Sequence, residues 1–146
     1  MIPRSFAWLT TALFVLCACG SNSSPSEPTT FPAEALQTEQ STDGQLSFEI
    51  RTSPQPPARG LLSVQYRITS ADGLPLDGLT LTVIPWMPAM GHGTSTVPTV
   101  EARGNGLYVL NDLNLYMAGL WELRTRISGS TLGTTSGEVT PRFQIP

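Results

Sequence analysis

The sequence is poor in the residues on which most catalytic and metal sites depend. It has no lysine, a single histidine at His92, and two cysteines, Cys17 and Cys19, both among the first twenty residues. With so few bases and nucleophiles, most arrangements for acid–base or covalent catalysis lack their parts, and we expect no enzyme. Acidic residues outnumber basic ones by eleven to eight, and no basic run occurs, which argues against nucleic acid as a partner.

The N-terminus is typical of an exported bacterial protein. Arg4 supplies a short positive region, and the apolar stretch 6–16 is far too short to span a bilayer as a permanent helix. The Leu-Cys-Ala-Cys sequence that follows resembles a lipobox. We therefore predict a signal peptide over residues 1–18 and a lipid anchor on Cys19, with an ordinary secretory signal as the alternative.

The predicted processing has consequences for location and for chemistry. Gly20 rather than Asp follows Cys19, which by resemblance to Gram-negative sorting rules permits export to the outer membrane. We expect a protein of the bacterial cell envelope, lipid-anchored and facing the periplasm. Loss of Cys17 and acylation of Cys19 leave no thiol, which excludes disulfides and cysteine-ligated metal centres such as blue copper.

Residues 19–44 are rich in Ser, Thr, Pro and Glu and contain no basic residue. Such a composition buries too little apolar surface to order itself, so we interpret the segment as a flexible, acidic tether. The folded domain is then predicted over residues 45–146.

Alternation of apolar and polar residues dominates the remainder of the chain and predicts half-buried strands of antiparallel sheets. Turn signals rich in Gly, Pro and Asp separate the runs, and no stretch shows a convincing helical stripe. About seven strands in roughly 100 residues favour an immunoglobulin-like antiparallel β-sandwich, with a small Greek-key barrel as the alternative. The clear runs are 46–51, 61–69, 79–86, 120–128 and 139–145, and the weaker ones are 97–102 and 106–110.

The segment WMPAMGHG concentrates rare residues at the end of the third clear strand. Met87, Met90 and His92 are spaced i, i+3 and i+5 in a loop that Pro and Gly allow to turn sharply. Thioether sulfur is a soft, uncharged ligand that prefers Cu(I) or Ag(I), and imidazole also suits copper. The three side chains are thus candidate Cu(I) ligands, and the ring of Trp86 is a candidate cap over the cation.

Met117 lies at a later turn, just before a strong strand. If that turn lies at the same end of the sandwich as the WMPAMGHG loop, Met117 is a fourth candidate ligand or part of the wall of the site. The alternative for all these methionines is ordinary packing, because Met is a common core residue and readily contacts aromatic rings.

Three separate pieces of the sequence form a pattern: Met87, Pro88, Met90 and His92, then Gly106 and Tyr108, then Met117, Gly119 and Trp121. Together they resemble the YtkA-like domain, which is related to the FixH family. The resemblance covers about residues 80–146 and implies a small immunoglobulin-like domain, often exported and associated with copper handling and oxidase assembly. It implies Met87, Met90 and His92 as ligands, with Met117 as a weaker fourth. The chain has a predicted lipid anchor where FixH proteins have a membrane-spanning helix.

Two functions follow as hypotheses. The first is a lipid-anchored periplasmic carrier or buffer of Cu(I), or of Ag(I), that exchanges metal with a copper-handling envelope protein. The second is an immunoglobulin-like module that binds no metal and docks on an envelope partner through the same loop.

Overall fold

Two antiparallel β-sheets make up the fold in the computed structural model, which describes residues 29–129 and 135–146. All the regular structure within these ranges is strand. The strands are β1 (Gln37–Gln40), β2 (Leu46–Ser53), β3 (Gly60–Ser70), β4 (Thr80–Met87), β5 (His92–Gly93), β6 (Thr99–Gly104), β7 (Leu107–Leu115), β8 (Gly119–Gly129), β9 (Thr135–Val139) and β10 (Arg142–Ile145).

The first sheet has the order β1-β2-β3-β7-β6, and the second has the order β10-β8-β4-β5, with β9 also pairing with β8. Buried apolar side chains from both sheets form one core, whose largest fully buried members include Trp121, Tyr66 and Phe48. The expected β-sandwich is thereby confirmed, and since the two sheets remain separate, the barrel alternative is not.

Strict alternation in the central strands produces this packing. In β2 every second residue from Leu46 to Thr52 is buried, and the residues between them are half-buried. In β8, residues 121, 123, 125 and 127 face the core, whereas Arg124 and Arg126 stand on the outer surface. A period of two in the sequence therefore identifies the core face directly.

The folded region begins earlier than the composition indicated. Residues 37–40, which we placed in the tether, form β1 and pair with β2 from Gln37↔Ile50 to Gln40↔Ser47. Leu36 packs against the core, and Ser41 is buried and accepts a hydrogen bond from the backbone N–H of Leu46 at 2.9 Å. Ordered structure therefore begins before the predicted boundary at residue 44, because an edge strand is held by backbone pairing that polar composition does not reveal.

Ten strands are present in the described ranges where about seven were expected. Besides β1, one added strand comes from the division of a predicted run and the other is β5. The run 139–145 is interrupted by the Thr140–Pro141 step, so that β9 and β10 lie along different parts of β8. The predicted loop after Trp86 is a tight hairpin, in which β4 continues to Met87 and two residues of β5 return.

The predicted signal peptide, the lipidation site Cys19 and the tether up to residue 28 lie outside the described residues. In the part of the chain that the structure covers, no helix has the length and apolar character needed to cross a membrane.

Candidate functional site

Three of the four candidate ligands, Met87, Met90 and His92, lie on the β4–β5 hairpin at one end of the sandwich. Met87 and His92 are directly opposed in the strand register and close a four-residue turn. Opposed residues of an antiparallel pair project from the same face, with Cβ atoms about 4.5–5.5 Å apart. The hairpin therefore sets one thioether and the single imidazole on the same face as direct neighbours.

Met87 is the more buried of these two candidate ligands, with only 4% of its surface exposed. A Cβ placed on Gly119 would lie 2.5 Å from the Cε methyl of Met87, so the glycine provides the space that the methionine occupies. Gly119 begins β8 and has a φ of +130°, a backbone conformation that other residues rarely adopt. Met87 thus packs directly against the turn that contains Met117.

Met117 is half-buried and packs against the core, two residues before Gly119 in the chain. The indole N–H of Trp121 donates a 2.9 Å hydrogen bond to the Met117 carbonyl oxygen and fixes the turn. The Trp121 ring also meets Tyr116 edge-on, with 6.2 Å between ring centroids. The condition attached to Met117 is met, because its turn lies at the same end of the sandwich as the hairpin.

His92 is half-buried, and its Nδ1 lies 3.0 Å from the carbonyl oxygen of Gly93. Because a carbonyl oxygen can only accept a hydrogen bond, Nδ1 is the nitrogen that carries the hydrogen in the neutral ring. The lone pair then belongs to Nε2. A backbone carbonyl that fixes the tautomer in this way is the usual partner of a metal-binding histidine.

Met90 occupies the turn itself and differs from the other donors in being 54% exposed. The carbonyl oxygen of Met87 accepts hydrogen bonds from the N–H groups of Met90 and Gly91, at 3.1 and 3.0 Å. Gly91 has a φ of +68°, which its lack of a side chain permits. The backbone of the turn is thereby fixed, while the Met90 side chain extends into solvent.

Trp86 lies on the hairpin but not beside Met87 and His92. It precedes Met87 in β4, and successive residues of a strand point to opposite faces, so Trp86 lies on the outer surface of the second sheet. The Arg124 guanidinium lies over its ring, 4.7 Å from the centroid, and also donates two hydrogen bonds to Glu122. A role for Trp86 as a cap beside Met87 does not fit this placement.

The middle piece of the family motif is a structural clasp at the opposite end of the sandwich. The Asp77 carboxylate accepts hydrogen bonds from the N–H groups of Asn105 and Gly106, at 3.1 and 2.8 Å. The Tyr108 hydroxyl accepts one from the N–H of Leu79 at 3.1 Å and donates one to the carbonyl oxygen of Leu76 at 2.9 Å. Burial raises the pKa of Tyr108. We call Asp77, Gly106 and Tyr108 the clasp.

Gly106 is required in the clasp for reasons of space. Its φ is +73°, and a Cβ there would lie 2.5 Å from the carbonyl oxygen of Ile68. The turn chemistry of Asp77 does not by itself show that its carboxylate binds a second loop. The sequence feature that indicates this part of the clasp is the Asn-Gly pair before Tyr108, which is typical of the tight hairpin between β6 and β7.

The chemistry available at the hairpin is that of soft, uncharged donors. Among residues 29–129 and 135–146, no three His, Cys, Asp or Glu side chains come together in a way that would hold a metal ion. The sequence from Leu79 to Val100 contains no Asp, Glu or Arg. Thioether and imidazole donors of the kind found at Met87, His92 and Met117 suit a soft monovalent cation far better than Ca²⁺, Mg²⁺ or Zn²⁺.

The model of the YtkA-like family matches residues 39–126, which is more than half of the chain. The chain belongs to the YtkA-like family. The match begins within β1 and ends within β8, so it includes the clasp, the hairpin and the Met117 turn. No curated protein and no solved structure matches the chain. The relation to FixH remains a prediction.

Proposed function

We propose that this domain binds Cu(I), or Ag(I), as cargo and serves as a carrier or buffer in the cell envelope, anchored through Cys19. The observation that carries the proposal is the direct opposition of Met87 and His92 in the hairpin. Met117 packs against the core two residues before Gly119, which adjoins the Met87 methyl group, and the His92 tautomer leaves the lone pair of Nε2 available to a metal. Two thioethers and one imidazole are a neutral donor set, which holds a monocation without the strength of thiolates and so permits release.

The test is a competition titration of Cu(I) against a coloured chelator. The full chain carries Cys17→Ser and Cys19→Ser in all samples, because free thiols would bind Cu(I) themselves. We expect binding tighter than micromolar, and we expect Met87→Leu to weaken it at least tenfold, about 1.4 kcal/mol. Leu fills the space of Met at a folding cost below about 1.5 kcal/mol, so the variant removes a donor and retains the fold.

Val97→Ala is the matched control, because Val97 is 79% exposed, has no donor atom and lies just after the hairpin. Its affinity for Cu(I) should equal that of the parent. The copper proposal fails if the parent binds no tighter than micromolar, or if the Met87→Leu variant binds equally well.

A second candidate function has an observation of its own. Met90, Tyr116 and Leu120 are large exposed side chains on the hairpin and on the turn beside it. Exposed apolar side chains of this kind also suit contact with a partner protein. If the titration shows no copper binding, an interaction module that docks through this end becomes the better proposal.

A further inference from the structure

The candidate ligands differ sharply in their access to solvent. Met87 is 4% exposed and Met117 is half-buried, whereas Met90 is 54% exposed on the same hairpin. The family motif treats Met87 and Met90 as equivalent members of one set. Their burial indicates different tasks, because a ligand that meets an incoming metal must be accessible and a ligand that retains it need not be.

The turn presents Met90 in a defined position. Both hydrogen bonds to the Met87 carbonyl oxygen fix the backbone on either side of the Met90 side chain. The backbone of Met90 is thus hydrogen-bonded to Met87, one of the two residues that close the hairpin, while the Met90 side chain is exposed. Rotation about its side-chain bonds changes the position of the sulfur without disturbing the turn, since Met has three flexible torsions.

Met87, in contrast, is enclosed. Its methyl group fills the space beside Gly119, and the core lies behind it. A bulky Cu(I) complex cannot approach a thioether with so little exposed surface before some of its own ligands have left. The route from solvent to Met87 therefore needs an outer donor that takes hold of the metal first.

We propose that Met90 is the entry and exit ligand of the copper site, an inference that rests on the proposed function. The Met90 sulfur forms a bond to Cu(I) as one donor atom of the delivering complex leaves. Bonds from His92 Nε2 and the Met87 sulfur then form as the remaining donors and Met90 are released. Copper stays in the +1 state throughout, and no proton or electron is transferred. Release follows the same steps in reverse.

This arrangement makes a kinetic prediction that differs from an ordinary ligand role. A residue that bonds the metal only on the way in and out lowers the barrier in both directions. The rate constants of uptake and release then change together, and their ratio, the dissociation constant, stays the same. A residue that holds the bound metal changes the dissociation constant instead, mainly through release.

The experiment measures transfer of Cu(I) from its bicinchoninate complex to the full chain carrying Cys17→Ser and Cys19→Ser, by stopped-flow absorbance. Met90→Leu retains the shape of the side chain without a donor sulfur. We expect uptake and release each to slow about tenfold, equivalent to about 1.4 kcal/mol in the barrier. The dissociation constant from competition titration should change less than about threefold. Val97→Ala, the exposed control, should leave both rates unchanged.

Two results would overturn the inference while leaving the copper proposal intact. One is a Met90→Leu variant with unchanged rates, and the other is a weakened affinity with unchanged uptake, which would make Met90 a retaining ligand. A parent chain that binds no Cu(I) defeats the proposed function itself, so the two failures are distinguishable.

Oxidation of the methionines in metal-free protein tests the difference in exposure between Met90 and Met87. Dilute peroxide should convert Met90 to its sulfoxide well before Met87, as followed by peptide mass spectrometry, because oxidation follows accessibility. Protein oxidised at Met90 alone should then take up Cu(I) as slowly as Met90→Leu does. Equal oxidation of Met87 and Met90 would contradict the buried position of Met87.

Discussion

Gly119 shows how a residue without a side chain shapes the candidate site. It has a φ of +130°, and the space beside its Cα is filled by the Met87 methyl group. Both facts require glycine, one through backbone conformation and the other through volume. The identity of residue 119 therefore determines where the inner thioether lies, although glycine itself has no ligand atom.

Gly119→Ala should lower the free energy of unfolding by roughly 1–3 kcal/mol, because the new methyl group collides with Met87 in a conformation that alanine avoids. Gly91→Ala is the matched control, since Gly91 also has a positive φ but a Cβ there would have no neighbour within 4 Å. Urea denaturation measures both variants. Equal losses would show that the contact with Met87 contributes nothing.

At the scale of elements, β1 is the strand that lies between the tether and the fold. It pairs along four residues of β2, and Leu36, just before it, donates a 2.7 Å hydrogen bond to the Ile50 carbonyl oxygen. Its polar composition suits an edge strand, whose outer side faces water. The first sheet thus depends on residues that precede the predicted domain boundary.

A chain that begins at Gln45 should be less stable than one that begins at Thr29. The shorter chain loses the β1 ladder and the partly buried Leu36, for a net loss of roughly 2–4 kcal/mol after the entropy of ordering is counted. Thermal unfolding of the two chains under identical conditions gives the comparison. Identical midpoints would mean that β1 adds no stability and that residue 45 is an adequate boundary.

Across the whole molecule, buried tyrosines tie the core together and respond to pH. The Tyr66 hydroxyl lies 3.2 Å from Thr125 Oγ1 of the opposite sheet. Burial raises the pKa of Tyr66 far above its ordinary value of about 10, and it also raises that of Tyr108. Both groups thus hold their protons more tightly in the folded chain than in the unfolded chain.

The sign of the pH dependence follows from these raised pKa values. Their contribution to stability is complete below about pH 10 and is lost as the pH rises from the unfolded-state pKa towards the folded-state values. We expect unfolding at strongly alkaline pH, with the phenolate absorbance of Tyr66 and Tyr108 appearing together with the loss of structure. Tyr66→Phe should lose less stability over this interval. Ionisation of Tyr66 in a chain that remains folded would contradict its burial.

Most of the fold could be predicted from the sequence, because alternation of period two in runs such as 46–51 and 120–128 marks the core face directly. The sequence also indicates that Met87 and His92 come together, since the turn between them contains Pro88 and Gly91. The predicted strand ends at Trp86, whereas β4 continues to Met87. Because successive residues of a strand point to opposite faces, the extra residue separates the Trp86 ring from the Met87 side chain. The clasp and the Gly119 contact join distant parts of the chain, and no local pattern specifies such contacts.

The clasp and the β4–β5 hairpin lie at opposite ends of the sandwich, so the sequence of one can change without disturbing the other. The clasp closes one end of the sandwich through Asp77, Gly106 and Tyr108, whereas the donors all stand at the other end. Residues 88–91 can therefore be rewritten with other donor residues while the far end keeps the sheets in register. The domain is in this sense a scaffold in which a four-residue turn can be exchanged while the strand residues Met87 and His92 that flank it stay paired.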